Sequence, residues 1–183
     1  MPSPATLWTI GHSNHPLERF LALLQHYRLQ AVADVRRFPG SRRLPQFAQA
    51  ALSASLAEQG IAYCWIGELG GRRRAAPDSP NTAWRNAAFR GYADHLQSAE
   101  FAVGLERLLA LAGTRRTAVM CAEVLWWRCH RALIADVLKL RGIQVLHILD
   151  ETHLFEHPYS AAARRVNGRL GYGQQGEALR RPD

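Results

Sequence analysis

Short unbroken apolar runs alternate along this chain with longer stretches in which apolar residues recur every three or four positions. That exchange of periods is the pattern of buried strands and amphipathic helices. Leu7–Ser13, "LWTIGHS", is an apolar run that leaves into a loop at Gly11. In "NHPLERFLALLQHY", Leu17, Phe20, Leu21 and Leu24 fall at helical spacing, with Ser13 or Asn14 placed to cap and Pro16 in the first turn. "QAVADVRRF" predicts a second strand, and "PGSRRLPQF" a loop by its Pro, Gly and Ser content. A helix follows over Gln46–Gln59, stopped by Gly60. Ile61–Leu69 is a third strand, and residues 70–85 form a basic, Pro- and Gly-containing segment expected to be irregular or mobile. Residues 91–113 read as one helix or two short ones.

Arg116–Glu123, "RTAVMCAE", is a continuous apolar run of the kind buried on both faces. Cys129–Gly142 is an amphipathic helix and Ile143–Leu149 a fifth strand. Strands exchanging with helices imply right-handed crossovers. The expected fold is therefore α/β: a Rossmann-like three-layer α/β/α sandwich on a mostly parallel sheet of five strands or slightly more. Residues 1–155 are expected to form one domain. Residues 156–183 read as a polar, partly disordered extension, with one short helix in "HPYSAAARRVNGRLGYG" and disorder over about the last ten residues.

Composition narrows the partners. The chain of 183 residues carries a formal charge of +8, nearly all from arginine, with Lys139 its only lysine. Arginine forks suit bidentate phosphate recognition, so a nucleotide or nucleic acid is the expected partner, against the bland reading that a GC-rich genome favours arginine codons. No run approaches the roughly 18 apolar residues that span a bilayer, and no signal peptide is legible, so no membrane partner is expected. Three cysteines are too few for a disulfide framework and point to a reduced, cytoplasmic setting.

Ligands of open parallel sheets sit beyond the carboxyl ends of the strands. Those ends carry His12 and Ser13, Asp34 and Arg36, Glu68, and then Cys121 and Glu123, with Cys129, His130 and Arg131 opening the next helix. A helix start favours an anion and lowers a thiol pKa. Cys129, or Cys121 at the strand tip with Arg128 or Arg131 holding an oxyanion, is thus a candidate thiol, with His130 or Glu123 as proton carrier and Arg131 and Arg36 as anion clamp. Each has a structural alternative. Either cysteine can be core, Arg131 can pair with Glu123 to fix the loop, and Asp34 can pair with Arg36 or orient His130. His12 and Ser13 either bind ligand or cap the first helix, capping being the favoured role for Ser13. Seven residues separate Cys121 from Cys129, and adjacent Cys129 and His130 rarely reach one ion, so neither a metal nor another cofactor is expected. Trp126 and Trp127 cannot easily both face inward; one lines the cleft, covers it or forms a homodimer contact.

The segments "TIGHSN", "ADVRRFPGSRRLPQF", "LAEQGIAYCWIGELGG", "VMCAE" and "CHRALIADVLKLRGIQVLHI" together resemble the family called domain of unknown function 488. The resemblance implies a compact α/β protein of bacteria and archaea without an assigned activity. It marks Gly11, His12, Ser13, Asp34, Arg36, Pro39, Ser41, Gly70, Gly71, Cys121, Glu123, Cys129, His130 and Arg131, and so adds Ser41 to the expected substrate-binding set. The loop "VLWWR" departs from the family's commonly polar one. A cysteine-tipped strand before a helix is also similar in plan to rhodanese-like sulfurtransferases, an analogy of fold alone. An enzyme of the thiol- or anion-dependent kind acting on a phosphate-bearing substrate, and a non-catalytic nucleotide or nucleic-acid binding module, both remain open here.

Overall fold

A computed structural model describes residues 5–179. Six strands form the main sheet: β1 (Thr6–Gly11), β2 (Ala31–Asp34), β3 (Ala62–Trp65), β4 (Thr117–Cys121), β5 (Gln144–Ile148) and β6 (Leu154–Glu156), in the order β3-β2-β4-β1-β5-β6. The first five are parallel, and β6 runs antiparallel on the edge beside β5. Five helices cover the two faces: α1 (Leu17–His26), α2 (Gln49–Glu58), α3 (Ala87–His95), α4 (Ala99–Ala112) and α5 (Arg131–Leu140). This is a three-layer α/β/α sandwich on a mostly parallel sheet.

The period of two along each strand sorts the core into two halves. Trp8, Ile10, Val32, Ala118 and Met120 face α1 and α2, where they meet Phe20, Leu24, Leu52 and Leu56. Leu7, Ala33, Val35, Val119 and Cys121 face the other way, onto α3, α4 and α5 through Tyr92, Phe101, Leu105 and Leu133. Handedness explains the sorting. Crossovers from β1 to β2 and from β2 to β3 run towards one edge of the sheet, and those from β3 to β4 and from β4 to β5 run towards the other. Right-handed crossovers in opposite directions lie on opposite faces. Adjacent strands β2 and β4 therefore lead off in opposite directions, and a crevice opens at their carboxyl ends.

Helix α1 starts without a side-chain cap: Pro16 occupies the cap position, and Ser13, expected to cap, lies three residues earlier at a φ of 47°. Residues 91–113 divide into two helices because Ser98 caps α4 with its hydroxyl on the Phe101 N–H. The segment 70–85 is irregular as expected but firmly tied: Asp94 accepts hydrogen bonds from the Ala76 N–H, the Ser79 hydroxyl and the Asn81 amide.

The C-terminal segment departs from expectation. In place of a short helix, β7 (Arg164–Val166) and β8 (Arg169–Gly171) form a hairpin, joined on the far side of β7 by β9 (Glu177–Ala178). Asn167 and Gly168 turn with φ of 50° and 78°, the two positive angles of the Asn-Gly hairpin turn. No break follows residue 155: Glu156 ends β6, and Ala163, Leu170 and Tyr172 are buried beside α5. The Tyr172 hydroxyl donates to Asp136 at 2.7 Å. Of the tail expected to be disordered, residues 174–179 carry β9, and residues 180–183 lie outside the described residues. Among the described residues no helix is long and apolar enough to cross a membrane.

Candidate functional site

Beyond their last paired residues, Gly11 and Cys121, the chains leaving β1 and β4 stay hydrogen-bonded: the His12 and Ser13 N–H groups donate to the Cys121 and Ala122 carbonyls. The β4 chain then crosses over Gly11 so closely that a Cβ there would lie 1.9 Å from the Glu123 carbonyl oxygen. A single 3-10 turn, Trp126–Arg128, brings it to the start of α5. Trp126 turns inward and stacks on His147, ring centroids 4.1 Å apart, whereas Trp127 is half exposed.

Arg131 holds this loop. It is 1% exposed, and its guanidinium donates to the carbonyls of Glu123 and of Val124 (3.2 Å) and to the Thr9 hydroxyl (3.4 Å). It clasps the loop backbone and is withdrawn from the cleft, so the expected anion clamp at Arg131 does not form. Nor does the alternative, a pair with the Glu123 carboxylate; that carboxylate accepts the Leu125 N–H instead. At the helix start, the Ala132 and Leu133 N–H groups are already bonded to the Cys129 and His130 carbonyls, which leaves less of the anion-binding end that helix starts can offer.

Alternation places Cys121 on the α5 side of the sheet, where Cys129 and His130 arrive from the helix. The two Sγ atoms and a ring nitrogen of His130 all lie within 4.8 Å of one another. Cys129 Sγ is 3.5 Å from His130 Nδ1, and His130 Nε2 is 3.0 Å from the Val35 carbonyl oxygen. That oxygen can only accept, so Nε2 carries a hydrogen. Gly71 makes room for the ring, since a Cβ there would lie 2.9 Å from Nδ1. Burial by itself raises the Cys129 pKa, but a hydrogen bond from Cys121, the nearby imidazole of His130 and the Arg131 charge outweigh it and hold the thiol well below its ordinary value. Cys121 is pushed the opposite way, first by that same hydrogen bond and then by burial. Of the two, Cys129 is thus the more acidic thiol.

On the opposite face lies a second polar cluster. Asp34, fully buried, takes the Arg36 guanidinium at 2.6 Å and the Tyr63 hydroxyl at 2.6 Å. Arg36 also donates to the Phe47 carbonyl at 2.8 Å and approaches His12 Nε2 at 3.3 Å. His12 stacks on Phe47, and its Nδ1 meets the Ser13 carbonyl at 2.7 Å. Burial, reinforced by Arg36, lowers the His12 pKa to about 4 despite that carbonyl, so the ring is neutral at pH 7. Asp34 cannot orient His130, because Val32 and Asp34 point to one face and Val35 to the other. Ser13 and Ser41 serve their own turns: the Ser13 hydroxyl lies 3.3 Å from Asn14 Oδ1, and that of Ser41 accepts the Leu44 N–H.

Between the loops following β2 and β4 a cavity of about 580 Å³ opens, with Cys121, Cys129, His130 and Glu123 in its wall. Arg36 lines it too, but its donors are committed to Asp34 and Phe47. Its other arginines are Arg37, Arg72 and Arg128, and Phe38, Phe89 and Tyr92 add aromatic surface. Arg72 lies in the segment the sequence marks as basic, and Arg128 ends the loop before α5. Tyr92 falls within the helix read from the sequence over 91–113, whereas Phe89 precedes it and joins α3 only in the fold.

The family model described as "Domain of unknown function DUF488" matches residues 16–138, more than half of the chain. It takes in β2 through most of α5, and with them the cavity, while β1 lies ahead of the matched region. No curated protein and no solved structure matches the chain.

Proposed function

The chain belongs to the DUF488 family, and for this member we propose an enzyme whose reactive group is the Cys129 thiolate, acting on a phosphate-bearing substrate. The observation that carries the reading is the meeting of two thiols and an imidazole in the wall of one cavity that also presents Arg37, Arg72 and Arg128. Cys121 stabilises the thiolate by its S–H. His130, locked through Nε2 to Val35, turns a free Nδ1 lone pair to Cys129 and takes up its proton. The three arginines replace Arg131 and Arg36 as the anion clamp.

Phe38 supports a nucleotide or a nucleic-acid end as the phosphate-bearing group. It is 65% exposed and the Arg37 guanidinium lies 5.7 Å from its ring centroid, a flat face beside a charge of the kind on which bases stack. The test is thiol labelling. In chelator-treated, reduced protein at pH 7, iodoacetamide should modify Cys129 faster than Cys64, and a nucleoside triphosphate should slow it. Arg72→Ala with Arg128→Ala should abolish that protection. Cys129 reacting no faster than Cys64 would sink the enzyme reading. Protection by the nucleotide without a reactive Cys129 would favour a binding module.

A further inference from the structure

We propose that Cys121 Sγ, Cys129 Sγ and His130 Nδ1 together bind a thiophilic divalent cation of the zinc class, with a fourth coordination position facing the cavity. Tetrahedral zinc with Zn–S of about 2.3 Å and Zn–N of about 2.0–2.1 Å requires a sulfur-to-nitrogen edge of about 3.5 Å and a sulfur-to-sulfur edge of about 3.8 Å. The Cys129–His130 edge measures 3.5 Å, and no two of the three donors are more than 4.8 Å apart.

The orientation of the imidazole is a second observation. Metal-bound histidines hold their outer ring N–H on a carbonyl or carboxylate, which fixes the tautomer and aims the free lone pair at the ion. His130 does this through Nε2 and Val35. The ring is further confined by Tyr92, 5.0 Å away between centroids, and by the Gly71 backbone. The long spacing from Cys121 to Cys129, which in sequence argues against a shared ion, is taken up by the 3-10 turn and by the Arg131 clasp that folds the loop back. Among the described residues no fourth cysteine, histidine or carboxylate joins the cluster. All three residues line the cavity, and three protein ligands beside an open position are the arrangement of catalytic zinc sites.

The proposal uses the cluster of the proposed enzyme but not its chemistry, since a bound ion occupies the thiolate. The test starts from chelator-stripped protein in a phosphine reductant, titrated with zinc ion against a chromophoric chelator. One zinc per chain is expected, and Co²⁺ in its place should show thiolate-to-cobalt charge-transfer absorption. Cys121→Ser, Cys129→Ser and His130→Asn should each weaken binding more than about tenfold, and Cys64→Ser should leave it unchanged. If the ligand variants fail to fold, zinc should protect Cys121 and Cys129, but not Cys64, from alkylation in the unmodified chain. No zinc uptake, uptake without a thiolate band, or equal loss in Cys64→Ser would overturn the proposal. A fast-alkylating Cys129 in stripped protein that takes up no zinc would leave the enzyme reading standing alone. Zinc uptake with an inert stripped Cys129 would do the reverse.

Discussion

Gly11 has no room for a side chain: the loop leaving β4 passes where its Cβ would sit, and what it would meet is backbone, which cannot rotate aside. Gly11→Ala is expected to cost about 3 kcal/mol or more, at the upper end for overpacking, measured as a fall in the urea midpoint. Asp34 presents a different kind of constraint. Its charge is compensated by Arg36, with Tyr63 taking a remaining lone pair. Asp34→Asn strands a buried guanidinium and should cost about 3–5 kcal/mol. Tyr63→Phe removes one hydrogen bond and should cost about 1 kcal/mol. Equal losses in the two variants would mean that the ion pair does not carry the cluster.

The strand tip, the loop 122–130 and the first turn of α5 act as one element because a single buried side chain joins them. Arg131 satisfies two loop carbonyls and reaches β1 through Thr9. Arg131→Met keeps the apolar stem and removes the donors, leaving those carbonyls unpaired at a cost of about 1–3 kcal/mol each. A lowered melting temperature should therefore accompany slower, not faster, alkylation of Cys129, since the variant also loses a charge that holds the thiolate. An unchanged melting temperature would refute the clasp. The crowding at Gly71 is local to His130 Nδ1, so Gly71→Ala should disturb Cys129 labelling while circular dichroism stays that of the native fold.

Across the whole molecule, a buried hydrogen-bonded chain joins the site's clasp to the C-terminal segment. Thr9 lies 2.6 Å from His147 Nδ1, His147 Nε2 2.9 Å from His157 Nδ1, and His157 Nε2 2.9 Å from Asp136, which also receives Tyr172. Burial, then the neighbouring His157 and Arg131, lower the His147 pKa from 6.5 to about 2. The unfolded chain binds this proton below pH 6.5 and the native one does not. His147 therefore has no effect on stability above pH 6.5 and lowers it by about 1.4 kcal/mol per pH unit as the pH falls from there towards 2. Unfolding free energies between pH 6 and 4 should show His147→Gln reducing the slope by one proton; an unchanged slope would mean that the ring is charged in the fold.

The order of strands and helices, the sandwich class and the crowding of chemistry at strand ends were legible because apolar period and strand-end position are local properties of the chain. Residues 157–173 show the limit of that legibility. Their Asn-Gly pair marks a hairpin, yet the composition of the segment reads as helix or tail, and only packing of Leu170 and Tyr172 beside α5 gives the strands a partner. The site depended still more on tertiary structure. Sequence brings together Asp34, Arg36, Cys121 and His130 at neighbouring strand ends, but the face each side chain takes depends on register and alternation. Those put Asp34 and Arg36 in the layer of α1 and α2, and Cys121 with Cys129 and His130 in the layer of α5. Whether Arg131 meets a ligand or the loop's own carbonyls, and whether two cysteines with seven residues between them meet at all, was decided by the path of the loop over Gly11, a distance no spacing in the sequence contains.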